Sequence, residues 1–165
     1  MSTPKFIFLM SLNIGDTAPS FVLKDSAMQD VDLTSFSGKN VVLLFFPFAF
    51  TGVCTTELCQ MRDDMAKFNN MNAEILAISV DSPFTLAKFK EENKLEFPLL
   101  SDFNKEVSKA YHALYEEFVA GMKGVSKRAA FVVDKTGTIK YVEVLENAGN
   151  LPNFEAIETA LAGLN

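Results

Sequence analysis

The stretch VVLLFFPFAFTGVCTTELC, Val41 to Cys59, decides the fold of this chain. Its first six residues, Val41–Phe46, form a continuous apolar run, which is typical of a strand buried on both faces of a sheet. Pro47 ends this strand because it has no backbone N–H to donate to a sheet. From Thr55 to about Asn70, apolar residues recur at spacings of three and four, which predicts a helix. The stretch therefore indicates a buried strand followed directly by a helix, with both cysteines of the chain near the junction.

The rest of the chain continues this alternation of strand and helix patterns. Further strands are predicted at Phe21–Lys24, Val31–Leu33, Glu74–Asp81, Phe97–Asp102, Arg128–Asp134 and Thr138–Val144, and further helices at Ser82–Lys94, Glu106–Leu114 and Pro152–Leu164. Alternating strands and helices, followed by an antiparallel hairpin and a last helix, imply a mixed sheet. We predict an α/β fold class. The predicted order of elements is that of a thioredoxin-like fold, with a mixed central sheet, helices on both faces and an added N-terminal β-hairpin.

Length and composition narrow the class of protein. A chain of 165 residues fits one domain with a sizeable core. We expect a single domain over residues 12–165, preceded by residues 1–11 as an N-terminal arm or extra strand. The apolar run in that arm is shorter than the roughly 20 residues of a membrane-spanning helix and has no small-residue cleavage site close behind it. We therefore expect a cytoplasmic protein that is not bound to a membrane.

The charge of the chain and its few cysteine and histidine residues argue against a nucleic-acid-binding protein, a disulfide scaffold and a zinc protein. The net charge of −6 and the scattered basic residues argue against nucleic acid as a partner. Two cysteines are too few for a disulfide scaffold or for a structural zinc site, which takes four nitrogen or sulfur ligands. The single histidine, His112, is far along the chain from both cysteines. We expect no metal and no cofactor.

The reactive site is predicted to lie at the motif P-x-x-x-T-x-x-C, which is formed by Pro47, Thr51 and Cys54. A thiol in the first turn of a helix faces the positive end of the helix dipole and unpaired N–H groups, which favour the reactive thiolate. The Thr51 hydroxyl is expected to hydrogen-bond Cys54 and orient a bound oxygen atom, or to cap the helix. Pro47 is expected to shield the thiolate, while Gly52 and Val53 let N–H groups converge on a small pocket. The structural alternative is that Cys54 is a buried thiol that packs as a small apolar residue.

At this motif the chain resembles a known family. PFAFTGVC is similar to the active-site motif of the peroxiredoxins, thiol peroxidases of the alkyl hydroperoxide reductase and thiol-specific antioxidant group. The resemblance runs from about Leu12 to Leu164 and includes IGDTAPSFVLKD, VVLLFFPFAFTGVC, FPLLSD and KRAAFVVDKTGTI. The flanking sequence looks most similar to the one-cysteine alkyl hydroperoxide reductase E subgroup.

The resemblance implies a role for five residues. Cys54 is the peroxidatic cysteine, Thr51, Pro47 and Arg128 surround it, and Glu57 occupies a position that supports the arginine. The guanidinium of Arg128 keeps its charge and has five donors in a fixed fork, so it suits both the thiolate and the charge that develops on peroxide oxygen. The resemblance implies reduction of hydrogen peroxide and organic hydroperoxides through a sulfenic acid. It also implies an external, thioredoxin-like thiol reductant, and a homodimer is an expectation from the family alone.

Cys59 departs from that subgroup and resembles the second cysteine of the peroxiredoxin Q proteins, where it resolves the sulfenic acid as an intramolecular disulfide. Five residues along a helix separate two Cα atoms by about 8.6 Å. A disulfide accepts about 6.8 Å at most. Closure of Cys54–Cys59 therefore needs local unwinding of the helix. The other interpretation is that Cys59 is only a core-facing helical residue.

A second function is compatible with the same residues. In a redox relay or sensor, oxidised Cys54 passes its oxidation to a partner protein instead of turning over with a general reductant. A dithiol oxidoreductase is disfavoured, because that chemistry uses C-x-x-C and the spacing here is wider.

Overall fold

The computed structural model describes residues 11–164 and contains a seven-stranded sheet with helices on both faces. In chain order the elements are β1 (Val22–Asp25), β2 (Asp30–Asp32), β3 (Asn40–Phe45), α1 (Gly52–Asp63), α2 (Met65–Asn70), β4 (Ala73–Ser79), α3 (Pro83–Asn93), β5 (Leu99–Ser101), α4 (Glu106–Ala110), β6 (Leu114–Tyr115), β7 (Val125–Ser126), β8 (Arg128–Val133), β9 (Ile139–Leu145) and α5 (Phe154–Ala162). Short 3₁₀ turns cover Leu33–Phe36 and Val119–Gly121. The predicted arm, residues 1–11, lies outside the described residues except for Ser11. The division into this arm and one domain from 12 to 165 therefore stays a prediction.

The sheet is mixed, with the strand order β2-β1-β5-β4-β3-β8-β9. Strands β3, β4 and β5 run parallel, whereas β8 and β9 pair antiparallel on one side and the β1–β2 hairpin pairs antiparallel with β5 on the other. The predicted fold class is thus confirmed, including the added N-terminal hairpin at the sheet edge.

Strand β3 is apolar on both faces because both faces of the sheet are covered. Val42 and Leu44 pack into a cluster with side chains of α1, α3 and α5, while Leu43 and Phe45 pack on the opposite face with side chains of α4. All six residues of β3 are buried. Burial on both sides explains why the sequence shows a continuous apolar run here instead of alternation.

Two of the predicted helices have different bounds in the structure. The helix predicted from Thr55 to Asn70 begins earlier, at Gly52, and is interrupted at Asp64, which leaves the helical conformation between α1 and α2. The helix predicted from Glu106 to Leu114 ends at Ala110.

The shorter α4 has a packing reason. Tyr111 lies at the end of α4, is 1% exposed and donates its hydroxyl hydrogen bond to the carbonyl of Pro19 at 2.6 Å. His112 then turns to a left-handed φ of 53°, which stops the helix. The spacing of Val107 and Tyr111 is helical in sequence, but tertiary contacts end the helix first. Leu114 instead belongs to β6, which pairs with β7 in a small second sheet.

The helix start predicted at Ser82 and Pro83 is found as expected. The Ser82 hydroxyl accepts a hydrogen bond from the backbone N–H of Thr85 at 3.2 Å, and Pro83 is the first residue of α3. Among residues 11–164, no helix is both long enough and apolar enough to cross a bilayer.

Candidate active site

The predicted motif forms the connection between β3 and α1. Thr51 occupies the N-cap position of α1 with an extended backbone, and Cys54 follows in the first helical turn. Its side chain is 1% exposed. Phe50 precedes the N-cap with a φ of 66°, a left-handed conformation that a bulky residue rarely adopts. This strained turn at Phe50 directs the chain from the sheet into the helix that carries Cys54.

Arg128 reaches Cys54 through the pairing of two strands. Phe45, the last residue of β3, lies opposite Ala129 of β8, so Arg128 starts β8 at the edge of the sheet where α1 begins. Its Nη2 donates to Cys54 Sγ at 3.2 Å. Its Nε and Nη2 also donate to the carbonyl oxygen of Ala148, at 3.1 and 2.9 Å. The Ala148 carbonyl therefore helps to hold the guanidinium in place beside the sulfur.

Glu57 binds the remaining arm of the guanidinium. Its Oε2 forms a salt bridge with Arg128 Nη1, and both side chains are almost completely buried. Burial raises the pKa of Glu57 to about 7, against the opposing charge and hydrogen bond of Arg128 and with a smaller contribution from Glu143. For Arg128, burial acts to lower its pKa, but the charges of Glu57 and Cys54 outweigh it, so the pKa is raised. The guanidinium stays charged beside the sulfur.

The side-chain hydrogen bond that Thr51 makes in the structure differs from those predicted for it. It stands at the N-cap of α1, but its side chain makes no capping hydrogen bond. Its hydroxyl donates instead to the carbonyl of Phe48 at 3.0 Å, which commits the hydroxyl hydrogen to the loop. A hydroxyl oxygen has two acceptor sites, and these are chemically suited to accept a hydrogen bond from a bound ligand.

A cavity of about 820 Å³ opens above the cysteine. Its lining includes the motif residues Pro47, Thr51, Val53 and Cys54 together with Arg128. The structure thus brings together all the site residues predicted from the sequence except Cys59, with Glu57 behind the guanidinium. Pro47 is buried and Thr51 is exposed, so the motif covers the sulfur on one side and leaves an approach on the other.

Asp81 is a residue of the site that sequence reasoning missed. It follows β4, and its Oδ2 accepts hydrogen bonds from the backbone N–H of Ala49 and from the Ser79 hydroxyl, both at 2.7 Å. Burial raises its pKa, although these two hydrogen bonds oppose the shift. Asp81 therefore ties the loop before Thr51 to the neighbouring parallel strand. Its position directly after an apolar strand was the available sequence signal.

Cys59 lies apart from the cavity, further along α1. It is half-buried, and its Sγ is 3.6 Å from Oδ1 of Asn93 at the end of α3. Both cysteines are free and belong to the same uninterrupted helix, with the buried residues Glu57 and Leu58 between them. Within the described residues, no cluster of three or more His, Cys, Asp or Glu side chains is arranged to hold a metal ion.

Comparison with known proteins agrees with this geometry. The model of the AhpC/TSA family matches residues 14–142. Alkyl hydroperoxide reductase E of Mycobacterium tuberculosis is 42% identical over 156 residues, which cover 93% of this chain and 98% of that protein. Peroxiredoxin-2 of Bos taurus is 35% identical over 159 residues, covering 90% of this chain and 75% of that protein.

A solved structure shares the fold over most of its length. The crystal structure of a peroxiredoxin-like protein from Aquifex aeolicus superposes with a TM-score of 0.86 at 26% identity, covering 94% of this chain and 90% of that one. The family match spans most of the present chain and includes both Cys54 and Arg128. The chain therefore belongs to the AhpC/TSA family, the peroxiredoxins, and is a thiol-dependent peroxidase, an oxidoreductase.

Proposed function

We propose that Cys54 is the residue that reduces the hydroperoxide. The Cys54 thiolate attacks one peroxide oxygen, so that an S–O bond forms while the O–O bond breaks. Sulfur loses two electrons and becomes a sulfenic acid, and the leaving oxygen takes a proton from water and departs as water or an alcohol. The observation that carries this proposal is the 3.2 Å hydrogen bond from Arg128 Nη2 to Cys54 Sγ in a buried site.

The residues around the sulfur have separate tasks in this step. Arg128 stabilises both the thiolate and the negative charge that grows on the leaving oxygen, and donors fixed in advance supply most of such stabilisation. Thr51 accepts a hydrogen bond from the O–H of the hydroperoxide and so orients the substrate. Pro47 and Val53 keep bulk water away from the sulfur. Glu57 fixes the guanidinium by the salt bridge to its Nη1.

We further propose that Cys59 resolves the sulfenic acid. Its thiolate attacks the Cys54 sulfur, the S–S bond forms while the S–O bond breaks, and the hydroxide that leaves takes a proton from the solvent to become water. Because the two residues lie five positions apart on one helix, the first turns of α1 must unwind before the sulfur atoms meet. Unwinding removes Leu58 and Glu57 from their buried positions, and exposing a buried leucine costs roughly 1.5–3 kcal/mol.

Turnover requires two further thiols, which reduce the disulfide and are themselves oxidised to one. We propose a thioredoxin-like protein as this reductant and the cytoplasm as the compartment, because a catalytic cysteine that must return to the thiol in every cycle suits surroundings in which thiols are kept reduced. A homodimer is proposed on family resemblance alone, and its test is the mass of the protein in solution.

Substitution of the two cysteines tests the proposal. Cys54→Ser is expected to abolish consumption of hydrogen peroxide in the presence of a thioredoxin system. Cys59→Ser, the matched control, is expected to keep the single-turnover oxidation and to lose or slow the later reduction. The readout is peroxide concentration against time. Undiminished turnover by the Cys54→Ser protein would contradict the proposal.

The same assay separates the peroxidase from a redox relay. Repeated turnover with a general thioredoxin system is the expected result for the peroxidase. Stable mixed disulfides between Cys54 and one partner protein, with little steady turnover, would favour a relay instead.

A further inference from the structure

A line of buried polar side chains runs beneath the edge of the sheet where Cys54 and Arg128 meet. Asp102, Ser108 and Ser126 are each at most 1% exposed, and they do not line the cavity above Cys54. Burying a polar side chain costs stability unless it is hydrogen-bonded, so each of them needs a fixed partner. Through their partners these three residues form a polar bridge between the loop that precedes α1 and the strand that begins at Arg128.

Asp102 fixes the start of α4 against the sheet. It follows β5 directly, and its two carboxylate oxygens accept hydrogen bonds from the backbone N–H groups of Val107 and Ser108, at 3.1 and 2.6 Å. Its own backbone N–H donates to the carbonyl of Ser79, the last residue of β4, at 2.7 Å. The Ser79 hydroxyl in turn donates to Asp81, which holds the loop before α1. Helix α4 and that loop are therefore attached to the same strand end.

The other end of the polar bridge reaches the strand of Arg128. The hydroxyls of Ser108 and Ser126 share a hydrogen bond of 2.7 Å, and both residues are 0% exposed. Ser126 belongs to β7, which pairs with β6 over two residues, and the backbone N–H of Lys127 donates to the carbonyl of Ala113 at 2.7 Å. A two-stranded ladder of this length is marginal without further support. The contacts with α4 and the chain behind it therefore fix the residues directly before Arg128.

We propose that Ser108 and Ser126, anchored through Asp102, are positioning residues that hold the Arg128 guanidinium against the Cys54 sulfur. The inference rests on the peroxidase step proposed above. The two serines act on that step through the 3.2 Å contact between Arg128 Nη2 and Cys54 Sγ, because they fix the backbone from which the guanidinium extends. A displacement of about 1 Å in such a site can cost about 100-fold in rate, so this support matters to the reaction.

Removal of one hydroxyl tests the serine pair. Ser126→Ala leaves the buried Ser108 hydroxyl without its partner, and Ser108→Ala does the same from the other side, so either variant alone carries the test. We expect each to slow the single-turnover oxidation of Cys54 by hydrogen peroxide by roughly threefold to tenfold. The double substitution should slow it no further than the slower single one, because all three variants lose the same contact. The readout is the fraction of oxidised protein against time after rapid quenching.

A second background tests whether the effect passes through Arg128. Arg128→Lys keeps the positive charge but loses the fork that binds both the Cys54 sulfur and the Ala148 carbonyl. If the serines act by placing the guanidinium, Ser126→Ala should leave the oxidation rate unchanged when it is added to Arg128→Lys. An equal slowing by Ser126→Ala in both backgrounds would show a general loss of order and would overturn the proposal.

Tyr111→Phe is the matched control. Tyr111 lies at the end of the same helix, α4, and its hydroxyl donates to the carbonyl of Pro19 at 2.6 Å, so the substitution removes a hydrogen bond outside the polar bridge. Both Tyr111→Phe and Ser126→Ala should unfold at a lower urea concentration than the wild type. Only Ser126→Ala should slow the oxidation of Cys54 and shift the NMR signal of the Arg128 Nε–H group. Equal slowing by Tyr111→Phe would contradict the assigned role.

The outcomes separate the two levels of the proposal. If hydrogen peroxide fails to oxidise Cys54 in the wild type, the peroxidase step itself is wrong. If the wild type is oxidised and neither Ser108→Ala nor Ser126→Ala slows the reaction, the positioning role is wrong while the peroxidase step stands. A double variant slowed by the product of the two single effects would also overturn the positioning role, since the serines would then act separately.

Discussion

At the scale of single residues, the site depends on three buried side chains in contact, those of Cys54, Glu57 and Arg128. Arg128 binds the Cys54 sulfur through Nη2 and Glu57 through Nη1. The Ala148 carbonyl fixes the guanidinium from a third side. The orientation of the guanidinium therefore survives a change in the charge of Glu57, whereas the strength of the Glu57 ion pair does not.

The charge of Glu57 predicts a pH dependence of stability. Burial raises its pKa from 4.5 to about 7, so the folded state holds this proton more tightly than the unfolded chain does. The free energy of unfolding should therefore fall as the pH rises from 4.5 to about 7. Relative to Glu57→Gln, the wild type should lose roughly 1–3 kcal/mol between those two pH values. Urea unfolding at several pH values measures the difference, and a difference that does not change with pH would show that Glu57 titrates normally.

At the scale of elements, helix α1 has two requirements that conflict. Its first turn must be ordered to hold Cys54 against Arg128, yet closure of a disulfide with Cys59 requires the same turns to open. The buried side chains of Glu57 and Leu58 resist opening. The stability of α1 should therefore control the resolution step that we propose for Cys59 and leave the proposed peroxide step unaffected.

Thr56 lies on the exposed side of α1 between the two cysteines. Substitutions there test whether the stability of α1 controls disulfide closure. Its side chain is exposed and only donates back to the carbonyl of Gly52 at 3.0 Å. Thr56→Ala should stabilise the helix and slow disulfide formation, and Thr56→Gly should do the opposite. Alanine and glycine differ by about 1 kcal/mol in helix propensity, so the two closure rates should differ by roughly fivefold. Sulfenic acid formation serves as the control and should be equal in both variants, and equal closure rates would show that α1 does not unwind.

The loop before α1 depends on a contact with β4. Asp81 accepts the backbone hydrogen bond of Ala49 at 2.7 Å, next to the strained Phe50. Asp81→Ala would leave that buried N–H without its partner, at a cost of about 1–3 kcal/mol. We expect faster hydrogen exchange at the Ala49 amide and slower oxidation of Cys54.

Asp81→Asn is the matched control for this contact, because its side-chain oxygen still accepts the hydrogen bond. Its exchange rate and its Cys54 oxidation rate should stay near those of the wild type. If Asp81→Ala oxidises Cys54 at the wild-type rate, the contact does not position the catalytic loop.

At the scale of the whole molecule, the sheet assembles the site from distant parts of the chain. The pairing of β3 with β8 brings Arg128 beside the start of α1, and the chain after β9 returns with Ala148 to bind the same guanidinium. Helices on both faces bury β3, so the end of this strand is a rigid support for Pro47 and the loop that follows.

Much of this arrangement was predictable from the sequence, for identifiable physical reasons. Strands covered on both faces leave continuous apolar runs, and the start of α3 carries its own capping serine, Ser82. The thiol motif lies within one short stretch, Pro47 to Cys54, and can therefore be recognised from the sequence alone. In contrast, β6 and β7 have two residues each, too few to show a period. The role of the Ala148 carbonyl has no sequence signal at all, because any residue supplies the same backbone oxygen.

The most direct test of the central claim locates the first oxidation. Reduced wild type and Cys59→Ser are each treated with one equivalent of hydrogen peroxide and a sulfenic acid trap such as dimedone, and the products are mapped by peptide mass. We expect the trap on Cys54 in the Cys59→Ser protein, and a Cys54–Cys59 disulfide, a loss of two hydrogens, in the wild type. A label on Cys59 in the wild type with Cys54 unmodified, or no oxidation of either cysteine, would contradict the account.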